Sequence, residues 1–255
     1  MSKIIKFILL NILKNRMIII YTLLLSLFSW SSFALEDSVS KSVITILNIF
    51  LLTIPLFAII FSNIYIYNST EFIELMLSQP IKRSTLWVSL FAGLSIALIA
   101  SFLLGAGIPI LLFIPNMTGA TLILDGTLLT LIFVSLAMLC AVITRDKAKG
   151  IGISVILWLF YTLIFDALVL IFIFQYSDYP IEKLMIAVSC INPIDIARIL
   201  VLLQIDLSAL MGYTGAIFKE FFGSTIGFGI TIFILLLWSA IPLLISLKLF
   251  QKKDL

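Results

Sequence analysis

The chain has no histidine and only two cysteines among its 255 residues. Without imidazole there is no His-based metal site, no His proton relay and no Ser-His-Asp triad. Cys140 and Cys190 stand too far apart and too alone to argue for a disulfide. Cys190, Met117, Met185 and Met211 are the available soft ligands for a metal such as Cu(I), but their spacing is not that of a ligand set, and filling of apolar gaps is the better reading. The sequence G-x-x-x-x-G-K-[ST] occurs nowhere, so no P-loop cradles a nucleotide; any use of ATP requires another subunit. Charge is scarce as well. Charged residues make up 11% of the chain, against about 25% in soluble domains. These absences leave no catalytic residue, no metal site and no cofactor to assign within this chain, and no nucleic-acid partner is expected.

What is present is apolar. Hydrophobic residues reach 62% and the mean hydropathy is +1.27, and runs near twenty residues recur, the length that crosses about 30 Å of hydrocarbon at 1.5 Å per residue. We place six spans at about Met17–Leu35, Val43–Tyr65, Leu86–Phe113, Gly126–Ile143, Ile151–Phe174 and Thr225–Leu247, with Asp166 the only charge within them. Backbone in lipid must satisfy its own hydrogen bonds, and no alternation suited to a β-barrel is visible, so each span is expected as an α-helix. The fold class is therefore an all-α polytopic membrane protein, a single domain over residues 1–255. The first span follows Lys3, Lys6, Lys14 and Arg16 and ends near a cleavage-like SFAL, but its 19-residue apolar run exceeds a signal core of roughly 7–15, and it is expected to be retained.

Lys and Arg placement sets the orientation. Lys3, Lys6, Lys14, Arg16, Lys82, Arg83, Arg145, Lys147, Lys149, Lys248, Lys252 and Lys253 fall on one side; Lys41, Lys183, Arg198 and Lys219 fall on the other. The positive-inside rule then puts both termini in the cytoplasm. Residues 1–16 form an amphipathic elbow helix lying in the interface, its cations toward lipid headgroups and Ile5, Ile8, Leu9 and Ile12 opposite.

Two loops carry the remaining information. The cytoplasmic stretch ELMLSQPIKRSTLW, Glu74–Trp87 within a region spanning 66–88, sets Leu75, Leu77 and Ile81 as apolar anchors beside the cations Lys82 and Arg83. That pattern suits insertion into a groove on another protein. The segment 175–224 on the opposite face is expected to fold into short helices that cap the membrane's outer surface, dock a partner or line an exit path. Asn192 caps one of them, Pro193 takes its first position and Asp195 favours its positive end, while Ile194, Ala197, Val201 and Ile205 share a face; a second helix starts at Asp206 or Ser208. Asp166 lies about 12 Å from the outer end of its span, within reach of Arg198, and a structural pair, a transport role and simple exposure are its three readings. Gly105 and Gly107, before Pro109, mark a close helix contact or a kink.

EFIELMLSQPIKRSTLWVSLFAG resembles the segment between the second and third spans of ABC-2-type transporter permeases. The matching positions are Glu74, Leu75, Leu77, Ser78, Pro80, Ile81 and Arg83; the Gly-Lys pair common after the Arg is replaced by Ser89 and Leu90. WLFYTLIFDALVLIFIF, INPIDIARIL and the closing SLKLFQKKDL are similar in order to the NosY-type permeases, with Asp166, Asn192, Pro193, Asp195 and Arg198 on the matching positions. The resemblance implies a homodimeric six-helix permease of the bacterial inner membrane. It also implies an ABC ATPase subunit that binds ATP and Mg on the cytoplasmic side, a periplasmic accessory protein, and a role in copper-site maturation of nitrous oxide reductase. A gliding-motility or multidrug exporter permease, a non-transporting membrane anchor and an intramembrane enzyme are the other readings. The anchor predicts that the outer segment matters and the cytoplasmic stretch does not; the enzyme is disfavoured by the missing histidine and by the single carboxylate in the spans.

Overall fold

The structure is a computed structural model and describes residues 2–144, 146–176, 182–205 and 225–252. Its helices run α1 (Ser2–Leu13), α2 (Arg16–Leu35), α3 (Val39–Asn68), α4 (Thr70–Leu77), α5 (Arg83–Phe113), α6 (Met117–Ile143), α7 (Lys147–Gln175), α8 (Glu182–Ser189), α9 (Pro193–Gln204) and α10 (Thr225–Lys252). Among the described residues, α2, α3, α5, α6, α7 and α10 are long and apolar enough to cross a membrane. The chain is thus the all-α polytopic membrane protein expected, with both end helices reaching one face, here the terminal face.

The fourth span differs from the expectation in a way that matters. It begins at Met117 rather than near Gly126, because Asn116 accepts from Gly119 N at 3.2 Å and caps the helix there. Asp125 therefore lies inside a span, and Asp166 is not the only carboxylate in one. Helix α6 is apolar all round and is the hub of the bundle, as that pattern requires: Leu129, Ile132, Phe133, Val134, Ala137 and Met138 are fully buried, and α10, α3, α9, α5 and α7 pack around it. By contrast α7 leaves Ile156, Leu163, Ile171 and Phe174 exposed, a face no other described helix covers.

Helix α1 is the amphipathic elbow, and Ile8 and Ile12 are buried against α5 rather than only facing lipid. Gly93 permits the approach, since a Cβ there would stand 3.0 Å from Ile8 Cβ. The contact lies ten residues past Arg83, so α5 projects about 15 Å beyond the level of α1. Tyr65 of α3 meets Asn11 of α1, which places the end of α3 beyond that level too.

Two spans carry one widened turn each, a π-helical segment at Leu103–Gly107 in α5 and another at Phe160–Ile164 in α7. In α5 the cause is Pro109, whose ring crowds the carbonyl of Gly105 four residues back. Gly105 is also where α5 touches α2, for a Cβ there would stand 2.6 Å from Thr22 O. The close-contact reading of the Gly-Pro stretch holds at Gly105, and the widened turn falls on the same residues.

The described part of the outer segment, residues 182–205, reaches into the bundle. Asn192, in the turn between α8 and α9, donates from Nδ2 to Tyr161 O at 2.9 Å, and Trp238 Nε1 donates to Cys190 O at 3.2 Å. Tyr161 stands midway along α7, so the α8–α9 turn reaches about 20 Å into the bundle. The widened turn explains the depth: it leaves a carbonyl of α7 outside the ordinary ladder, and the Asn192 amide satisfies it. Asn192 also accepts from Ile194 N at 3.0 Å with Pro193 in the first turn, and Ile194, Ala197 and Val201 are fully buried. The expected second start at Asp206 or Ser208 lies outside the described residues, as do Met211 and Lys219.

Candidate functional site

Helix α4 stands on the terminal face, tied at both ends. Ser69 N donates to Tyr65 O and Ile66 O as α3 closes, and Thr70 Oγ1 bonds back to Tyr67 O at 2.8 Å. At the far end Ser78 N bonds Glu74 O and Ser78 Oγ bonds Leu75 O at 2.8 Å. Pro80 then centres a three-residue turn closed by Ile81 N to Gln79 O at 2.6 Å, the turn proline's fixed φ favours. Every residue of the sequence motif therefore falls on this short element or its exit.

The roles within the motif divide by helical face. Ile73 is buried, and Phe72, Met76, Leu77 and Ile81 pack against the core; Phe72 also stacks on Phe7 of α1 with ring centroids 5.5 Å apart. Leu75 points away and is 64% exposed. Of the three expected anchors, Leu77 and Ile81 are thus spent on holding α4 to its own bundle, and Leu75 alone is free to enter a partner. Glu74, Leu77, Ser78 and Arg83 line one open cleft of about 340 Å³, which mixes a carboxylate, a hydroxyl and a guanidinium beside Leu75.

What lies behind α4 is stiff. On one side Arg83 Nη1 donates to Gln251 O at 3.3 Å, Trp87 Nε1 donates to Ser246 Oγ at 3.1 Å, and Trp87 stacks on Phe250 at 4.2 Å; α5 is bolted to the end of α10. On the other side Tyr67 donates to Thr144 O at 3.1 Å, and Lys147 Nζ donates to Asn68 Oδ1 at 2.7 Å. Buried Asn63 adds a bond from Nδ2 to Gly150 O at 3.0 Å and a second to Ser154 Oγ. These bonds bolt α3 to the start of α7. Arg145, between the two, lies outside the described residues.

The second cluster is on the opposite half. Arg198 Nη1 donates to Asp166 Oδ2 at 3.1 Å and stands 3.4 Å from Asp195 Oδ1, an ion pair without hydrogen-bond geometry. One guanidinium thus serves two carboxylates across α7 and α9, at the edge of a cleft of about 410 Å³ that also includes Met185 and Ser189. Burial, and then the Asp166 charge, push the Asp195 carboxyl up to about 7 against the lowering pull of Arg198. The structure brings Asp166, Asp195 and Arg198 together, while Asn192 and Pro193 form the turn that carries the two α9 residues into place.

Asp125 escaped the sequence reading. It is 2% exposed, and its Oδ1 has no hydrogen-bond partner. The signal was Asn116, a helix cap that moves the start of the span outward. Among the described residues no group of three or more His, Cys, Asp and Glu stands together as a metal site.

Residues 9–255 match the family of ABC-2 family transporter proteins. The chain is also similar to a Pseudomonas aeruginosa protein, probable ABC transporter permease protein NosY. The two are 25% identical over 221 residues, covering 78% of this chain and 80% of that one.

Proposed function

The chain belongs to the ABC-2 family of transporter proteins, and we propose that α4 is the element through which a separate ATPase subunit drives it. A permease of this kind is the non-catalytic membrane subunit, and ATP hydrolysis resides in its partner. The observation that carries the proposal is the contrast along α4: Leu75 stands exposed beside a polar cleft while every other apolar residue of the helix is held against the bundle. An exposed apolar residue rimmed by polar groups on a rigid mount is the form of an interface anchor.

In this reading the terminal face is cytoplasmic, the membrane is the bacterial inner membrane, and two copies assemble with two ATPase subunits. The uncovered apolar face of α7 meets lipid or the second copy. The similarity to a NosY permease supports the finer assignment, a transporter acting in copper-site maturation of nitrous oxide reductase with a periplasmic accessory protein on the far side.

The test of coupling is co-purification and ATPase assay with Leu75→Glu. The side chain touches no core residue, so the fold is retained while ATPase binding falls by about tenfold or more, the loss of one buried anchor at about 1.4 kcal/mol per decade. Unchanged binding removes α4 as the docking element. The finer assignment is tested separately by deleting the chain in cells that make the reductase: copper content of the reductase falls if the assignment is right and stays normal if it is wrong.

A further inference from the structure

We propose that the groove between the α1–α2 elbow and the inner half of α3 is a binding site for one anionic phospholipid of the leaflet on the terminal side. The groove holds about 390 Å³, with a floor of Phe57, Ile60, Phe61 and Ile64 and a polar lip of Asn15 and Asn68. That volume lies within the range of ligand sites, about 300–1,000 Å³, and the division into a greasy floor and an amide lip is that of an amphiphile site.

The level is right for a headgroup. Helix α1 buries Ile8 and Ile12 while Lys6 and Lys14 stay exposed, so it marks the interface plane, and Asn15 is the corner at which the chain turns from that plane into α2. The floor therefore runs from the headgroup level toward the hydrocarbon. Tyr21 closes its deep end by stacking on Phe57 at 4.3 Å.

Charge fixes the sign of the headgroup. Lys14 and Arg16 flank the Asn15 lip and are exposed, and Lys147 reaches the other lip through its 2.7 Å bond to Asn68. Among the described residues these three cations make no ion pair. The nearby Asp146 turns its Oδ1 to the start of α7, accepting from Ala148 N and Lys149 N. Three unpaired cations around a groove that opens at the interface attract a phosphate, each worth on the order of a fivefold gain in affinity near an anionic surface. The site also has a mechanical consequence. Its lip residue Asn68 is the last of α3, separated from Thr70 at the start of α4 by the cap residue Ser69 alone, so an occupant stiffens the root of the coupling element.

The experiment uses the full chain in neutral detergent, with dioleoyl phosphatidylglycerol, dioleoyl phosphatidylcholine or inorganic phosphate added. Phosphatidylglycerol is expected to raise the melting temperature by several degrees, with one lipid retained per chain in native mass spectrometry, while the other two do not. Ile60→Trp fills the floor and abolishes the phosphatidylglycerol response; if that variant melts without lipid, Met17→Trp at the exposed lip blocks the same groove. Lys14→Gln with Arg16→Gln weakens phosphatidylglycerol binding by about tenfold or more. An equal rise with phosphatidylcholine shows ordinary annular lipid and overturns the proposal, as does an equal rise with phosphate. A wild-type dimer that Met17→Trp splits into monomers assigns the groove to a second copy and overturns it as well.

Discussion

Arg198 is one cation between two carboxylates, and that ratio sets how the cluster responds to pH. Asp195 ordinarily titrates near 3.8 and is pushed up to about 7, so between those values the folded chain holds a proton that the unfolded chain has released. Stability from this group is therefore present below about pH 4 and lost progressively as pH rises toward 7. With the partners one-third exposed, solvent screening reduces the swing to on the order of 1–2 kcal/mol. Melting temperatures of the wild type are expected to fall from pH 5 to pH 8 by more than those of Asp195→Asn, which keeps the shape and cannot ionise. Parallel curves for the two proteins would show that Asp195 is not the titrating member. Arg198→Ala strips the guanidinium from both carboxylates at once and is expected to destabilise most at high pH.

At the scale of elements, the close passages decide which helices can be moved and which cannot. Gly105 brings the α5 backbone against Thr22 O at the widened turn before Pro109, so a branched side chain has no space on that side. Gly105→Val is expected to cost about 1–3 kcal/mol by overpacking, whereas the same change at Gly152, where a Cβ would meet nothing, is expected to leave the melting temperature nearly unchanged. The contrast is measured by thermal unfolding of the two variants side by side. The sequence carried the number of spans, the elbow and the Asn192-Pro193 cap, because hydropathy, helical spacing and capping are local signals. It also offered the Asp166–Arg198 pair as one of three readings of Asp166, from depth. It did not carry the depth of the α8–α9 turn, because that depends on a carbonyl freed by the widened turn at Phe160–Ile164, and unlike the turn before Pro109 that one has no proline or glycine to mark it. Nor did it separate Leu75 from Leu77 and Ile81, since which face of a short apolar helix is covered depends on where Phe7 and the core happen to lie.

For the whole molecule, α4 joins two groups that share the α6 hub and are each braced by their own bonds on the terminal face. Through Ser69 it continues α3, which is bolted to α7 by Tyr67, Asn68 and Asn63; through Pro80 it leads into α5, which is bolted to α10 by Trp87 and Arg83 and carries α1 on Ile8. A displacement of α4 is thus delivered to both groups, and the brace made by Trp87 decides whether α10 follows α5. Trp87→Phe keeps the stack on Phe250 but removes the donor, and Ser246 Oγ retains its own bond to Leu243 O, so the cost is expected near 0.5–1.5 kcal/mol. Trp87→Ala removes the stack as well and is expected to cost about 3–5 kcal/mol. Because Trp87 lies behind α4 and not on its exposed side, both variants keep ATPase binding. If the brace transmits motion, transport per ATP hydrolysed falls in the order wild type, Trp87→Phe, Trp87→Ala while ATPase affinity stays constant. A loss of ATPase binding that tracks the loss of transport instead makes Trp87 a determinant of docking, and the two-group description of the molecule then fails.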